Sequence, residues 1–154
     1  MQPEAIQMRK ASAADLPAIV AILADDALGQ TREDPRLPLA PDYVAAFEAI
    51  DRDPNQLLAV AVDDGRIVGT LQLTFIPGIA RKGTWRGQIE AVRIARSHRS
   101  SGLGQRMFEW AVAECRKRGC RLVQLTTDKT RVDAHRFYDR LGFEATHEGY
   151  KLVL

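Results

Sequence analysis

Residues 89–104, IEAVRIARSHRSSGLG, constrain this chain more than any other stretch. An apolar segment rich in β-branched residues runs through a short polar turn into a helical pattern. A strand end and a helix start must therefore meet in one place. The turn reads Arg99-Ser100-Ser101-Gly102-Leu103-Gly104, and its glycines let the backbone approach a ligand closely. Amides in the first turn of a helix have no intrahelical partner, and the helix dipole adds partial positive charge there. Such a place suits a phosphate or diphosphate. The donors would be main-chain amides from Ser100 to Gln105, with Arg99 as a fixed charge at the rim. A dinucleotide fingerprint would need a third glycine where Met107 stands, and a nucleotide P-loop would end in Gly-Lys-Ser/Thr, which is absent. From these residues alone, the turn serves either another phosphate-bearing ligand or close packing between strand and helix.

The rest of the chain decides what surrounds that turn. Its 154 residues suit a single domain over 1–154 with a sizeable core. A net charge of +2 gives no electrostatic footprint for nucleic acid. No apolar run reaches membrane-span length, and the polar start, interrupted by Pro3, does not read as a signal peptide. Cys115 and Cys120 have neither redox nor zinc spacing, and His98 and His135 lack a third ligand at metal spacing. The expectation is a cytoplasmic protein with reduced thiols, no metal, no membrane partner and no nucleic acid.

In chain order, residues 5–9 read as a strand. Ser12 to Asp15 resembles a capping box ahead of a helix carrying Leu16, Ile19, Val20 and Leu23, with Asp15 the better cap because Pro17 follows one turn in. Residues 29–41 read as a loop or broken helix, and 42–51 as a helix burying Val44, Phe47 and Ile50. Residues 57–62 are a continuous apolar strand, Asp63-Asp64-Gly65 a hairpin turn, and 67–75 an alternating strand with Leu71, Leu73 and Phe75 on one side and Thr70, Gln72 and Thr74 on the other. Residues 77–86 form an exposed basic loop with Arg81, Lys82 and Arg86. Residues 103–118 form a helix striped by Leu103, Met107, Trp110, Ala111 and Cys115 and closed by Gly119. Residues 122–127 and 149–154 read as strands around a short helix carrying Ala134, Phe137, Tyr138 and Leu141. The fold class is α+β (mixed α/β), with a central, mostly antiparallel twisted sheet flanked by helices.

Two motifs carry a family resemblance. Arg99-Ser100-Ser101-Gly102-Leu103-Gly104 is similar to the acetyl-CoA loop of the GNAT (Gcn5-related) N-acetyltransferases, and Ala134-His135-Arg136-Phe137-Tyr138-Asp139-Arg140-Leu141-Gly142-Phe143 matches that family's A-x-x-F-Y-x-x-L-G-F segment. The resemblance implies a GNAT-like acyl-CoA N-acyltransferase fold and transfer of an acetyl group from acetyl-CoA, as cosubstrate, to an amine. It makes Ser100, Ser101, Gly102, Leu103, Gly104, Gln105 and Arg99 the diphosphate site. It also makes the backbones of Val92 and Ile94 the partners of the pantetheine arm, in the manner of an added strand. Arg131 stands where the family often has an asparagine against the cofactor, and an arginine there would meet a phosphate instead.

The chemistry also needs a base and an acid. An alkyl ammonium must lose a proton before attack, and Glu90 is the expected base, directly or through water. Strict alternation puts it on one face with Val92 and Ile94, where apolar burial would suit it to that work. A salt bridge with Arg93 or the basic loop is the alternative. Tyr138 matches the family's acid for the leaving thiolate; from its apolar stripe alone it reads as a core tyrosine. The acceptor implied is a small-molecule amine, shaped by 29–39 and 77–86. The alternatives are a protein or peptide amine and a non-catalytic CoA-binding sensor. The resemblance also admits a homodimer.

Overall fold

A computed structural model describes residues 5–154. Strands β1 (Gln7–Lys10), β2 (Gln56–Asp63), β3 (Arg66–Ile76), β4 (Arg86–Ile94) and β5 (Leu122–Leu125) lie side by side in chain order in one sheet. The pairs β1–β2, β2–β3 and β3–β4 are antiparallel. The β2–β3 hairpin closes on Asp64 (φ 48°) and Gly65 (φ 74°). Two consecutive positive φ values define the type I′ turn whose twist matches that of paired strands.

The alternation of β3 is realised as expected. Leu71, Leu73 and Phe75 are fully buried on one face, beneath helix α5 (Leu103–Lys117), which buries Leu103, Met107, Phe108, Ala111 and Cys115. Phe108 takes the place expected for Trp110, which is only half-buried. Glycines set the helix-to-sheet distance: a Cβ on Gly69 would lie 2.8 Å from Met107 Sδ, and one on Gly87 only 2.2 Å from Cys115 Sγ.

The opposite face carries α1 (Leu16–Ala24) and α3 (Pro41–Arg52). There Ala11, Leu16, Ile19, Val20, Phe47 and Val60 form an apolar cluster. The stripe expected on α3 is narrower than its periodicity suggests, since Phe47 alone is buried and Val44 is 42% exposed. Phe47 enters the cluster with half-buried Tyr43 packed beside it, and Val44 is left at the rim. Between α1 and α3, the expected loop or broken helix is a single turn, α2 (Gly29–Arg32), followed by a loop. Tyr43 pins that loop: its hydroxyl accepts from the Asp34 amide and donates to Glu33.

Asp15 is the N-cap of α1, with Pro17 tolerated in the first turn. Its carboxylate takes a two-pronged bond from Arg9 (2.6 and 3.0 Å) and one from the Ser12 amide (2.8 Å). The Arg9 bonds, with the Ser12 bonds behind them, lower its pKa to about 2. A native carboxyl held below its unfolded value stabilises the fold above about pH 4, and the contribution is lost as pH falls through about 2. Asp15→Ala is expected to cost about 2 kcal/mol at pH 7 by urea denaturation, and the gap to wild type should close at about pH 2. A gap independent of pH would remove the ion pair from the account.

The described residues cluster into two compact units, one ending at Gln124 and one from Leu125 to Leu154. The second contains α6 (Val132–Arg140), which Gly142 follows at φ 93°. The strand expected over 149–154 does not form: these residues have no regular structure, and Tyr150, Leu152 and Val153 are 85–91% exposed. Strand-prone residues become a strand only where a neighbour supplies hydrogen bonds and cover.

Candidate active site

The glycine turn is built as the sequence suggests. A 3-10 turn (Arg96–His98) leads to Ser100 at φ 61° and to Gly102 at φ 85°, the N-cap of α5. A Cβ on Gly102 would meet nothing within 4 Å, so its glycine character answers to the left-handed backbone and not to crowding. The Arg106 amide bonds back to the Gly102 carbonyl at 3.3 Å. The amides of Leu103, Gly104 and Gln105 therefore form the helix's unspent first turn.

Long-range contacts hold this turn in place. His98 Nε2 lies 2.6 Å from Asp63 Oδ2 on the β2–β3 hairpin, and its Nδ1 lies 2.7 Å from Ser97 Oγ. The Ser101 hydroxyl donates to the His98 carbonyl. Arg99 does more than sit at a rim: its guanidinium donates to the Asp25 carbonyl at the end of α1 (2.9 Å) and to the Ile94 carbonyl (3.3 Å). Arg96 pairs with the Asp25 carboxylate at 3.0 Å. Asp25 and Asp63 thus gather the basic turn. Neither is legible in sequence, because the partners are 35 to 74 residues apart.

On β4 the structure corrects the expected alternation. Gln72 pairs with Glu90 but Thr70 pairs with Arg93, so three steps on β4 oppose two on β3. The extra residue is accommodated where Ala91 takes φ 53°. A bulge of this kind re-aims side chains. Beyond it Arg93, and neither Val92 nor Ile94, shares the face of Glu90, and Arg93 pairs with Asp26 at 3.1 Å. Glu90 is exposed and not buried among apolar neighbours as expected, with Oε1 3.5 Å from the Thr74 hydroxyl. Val92 and Ile94 are half-buried, and the Val92 carbonyl accepts from Arg93 at 2.9 Å.

Tyr138 and Arg131 lie in the second unit. Tyr138 is half-buried on α6, its ring edge-on to Phe137 (5.7 Å) and Phe143 (6.1 Å). Arg131 is the N-cap of α6, and its carbonyl accepts from the His135 amide. Among the described residues, no three His, Cys, Asp or Glu side chains are grouped as metal ligands, and no helix is long and apolar enough to cross a membrane.

The chain is similar to known proteins. The family model "Acetyltransferase (GNAT) family" matches residues 19–143. An aminoalkylphosphonate N-acetyltransferase from Salmonella typhimurium is 33% identical over 109 residues, 69% of this chain and 70% of that protein. A glucosamine 6-phosphate N-acetyltransferase from Trypanosoma brucei brucei is 34% identical over 90 residues, 58% of this chain and 59% of its own. Among solved structures, a transcriptional regulator from Bacillus halodurans C-125 superposes with a TM-score of 0.95 at 46% identity, covering 97% of this chain and 100% of its own.

Proposed function

The chain belongs to the GNAT family of acetyltransferases, and from that premise we propose that it moves the acetyl group of acetyl-CoA onto the primary amine of a small molecule by direct attack in a ternary complex. The observation that carries this reading is the start of α5, where the amides of Leu103, Gly104 and Gln105 are unspent behind left-handed Gly102. That arrangement suits the diphosphate of CoA.

In the proposed reaction, Ser100, Ser101 and the α5 amides hold the diphosphate, and Arg99 braces the turn against α1. Arg131 adds charge toward the cofactor's phosphates. The backbones of Val92 and Ile94 pair with the pantetheine arm, and an N–H there steadies the oxyanion. Glu90 takes one proton from the acceptor ammonium so that its nitrogen can attack the thioester carbonyl; as the C–S bond breaks, Tyr138 gives its proton to the departing CoA thiolate and regains one from the acetylated nitrogen, which carries one too many after attack. The family match crosses the division between the two units, which supports reading residues 1–154 as one acetyltransferase domain. We place it in the cytoplasm, where acetyl-CoA chemistry and two free cysteines are compatible.

A small acceptor is supported by the two N-acetyltransferases above, whose names specify amines that carry a phosphonate or a phosphate. Thiol release from acetyl-CoA, screened against 2-aminoethylphosphonate, glucosamine 6-phosphate, glucosamine, amino acids and polyamines, tests the reading. Turnover with at least one of them is expected. CoA binding without release for any acceptor would turn the reading to a non-catalytic sensor. Tyr138→Phe is expected to lower kcat about 100-fold with CoA affinity unchanged, the size of a lost general acid. An unaltered kcat makes Tyr138 a packing residue only.

A further inference from the structure

We propose that the sheet face around Glu90 is an acceptor subsite for an amine whose body carries hydroxyl groups, as an amino sugar or amino polyol does. This rests on the reading that Glu90 meets the acceptor nitrogen.

Cross-strand partners in an antiparallel ladder share a face, so Gln56, Thr74 and Gln88 line up across β2, β3 and β4. Leu58, Gln72 and Glu90 form the next row on the same face, with apolar Leu58 at its β2 end. Gln124 Nε2 donates to Gln88 Oε1 at 3.0 Å, which extends the first row to β5. At the usual strand spacing, Gln56 to Gln88 spans about 10 Å, enough to underlie a six-membered ring and its substituents.

Except for exposed Glu90 these polar side chains are half-buried, and four of them are amides. Their mutual bonds leave a pattern open. Gln56 Oε1 accepts from Gln72 Nε2 (2.9 Å) and from the Thr74 hydroxyl (3.1 Å). Among the described residues, Gln56 Nε2, Gln72 Oε1, Gln88 Nε2 and Gln124 Oε1 then have no protein partner. Donors and acceptors alternate across the floor, which suits hydroxyls because each one both donates and accepts. Glu90 carries the only charge in the two rows, placed for the ammonium. An alkyl amine would strip water from these amides and return no hydrogen bonds, a penalty that lets such sites reject analogues lacking a hydroxyl.

The test is calorimetry on the CoA-loaded protein with size-matched amines: glucosamine against cyclohexylamine, and 2-amino-1,3-propanediol against isopropylamine. The hydroxylated member of each pair is expected to bind at least about tenfold tighter. Gln72→Leu and Gln88→Leu, checked by CoA binding for correct folding, are expected to erase that preference. Equal affinity within the wild-type pairs overturns the subsite, and that comparison needs no variant. Thiol release is followed in parallel. A bare alkyl amine turned over as fast as its hydroxylated partner overturns the subsite and leaves the acetyltransferase reading standing. Hydroxyl-selective binding with no thiol release, here or for any acceptor of the wider screen, supports the subsite and overturns the reading of direct acetyl transfer instead.

Discussion

Glu90→Gln is expected to lower the rate of acetyl transfer about 100-fold near neutral pH, the lower end of what a positioned base supplies. Glutamine matches the carboxylate in size and keeps an oxygen for the Thr74 hydroxyl. Glu90 is exposed, so the fold should not change. The pH profile separates base loss from a positional effect. An alkyl ammonium has a reference pKa of about 10, so near pH 7 only about one molecule in a thousand is already neutral. Without a base, only that fraction attacks, and it rises tenfold per pH unit. The deficit of Glu90→Gln should therefore shrink steadily between about pH 7 and pH 10. A steady-state profile at saturating acetyl-CoA checks this. Wild-type turnover at pH 7 removes Glu90 from the chemistry, and a deficit constant in pH makes it a positioning residue.

The second large effect concerns stability. Gly87→Ala is expected to destabilise the protein by about 3 kcal/mol, the upper range for overpacking a close-packed core. The new methyl would stand 2.2 Å from Cys115 Sγ and 3.2 Å from Cys115 Cβ, where α5 packs on β4. Gly87 is buried near the start of β4 and Cys115 is fully buried, with desolvation pushing its thiol up to about 11. Cys115 therefore fills space and is not a nucleophile at neutral pH. Cys115→Ala removes the sulfur and leaves only the milder Cβ contact. The double variant Gly87→Ala/Cys115→Ala should recover more than half of the loss, a coupling that urea denaturation of the four proteins measures. Strictly additive costs would show that the clash is not with Cys115.

Much of this architecture follows from local pattern. The β2–β3 hairpin, the alternation of β3, the Asp15 cap, the glycine ends of α5 and α6 and the left-handed turn before α5 all depend on residues within a few positions of one another. The misses have a common origin. Val44 and Ile50 follow helical spacing, but Phe47 alone of α3 is buried. The tail at 149–154 has strand-forming residues without strand structure. Alternation along β4 fails because one residue, Ala91, takes a left-handed conformation that nothing in its side chain announces.

The sequence by itself determined that this chain brings a strand, a glycine turn and a helix start together, and its two motifs mark it as a member of the GNAT family. Tertiary structure alone decided which way Glu90 faces, what steadies the turn through Asp25 and Asp63, and that glutamines from four strands share one floor. The reason is physical. Turns and caps arise from bonds between near neighbours in the chain. A bulge, an ion pair across dozens of residues and the register between strands arise only when distant segments compete for the same hydrogen bonds and the same space.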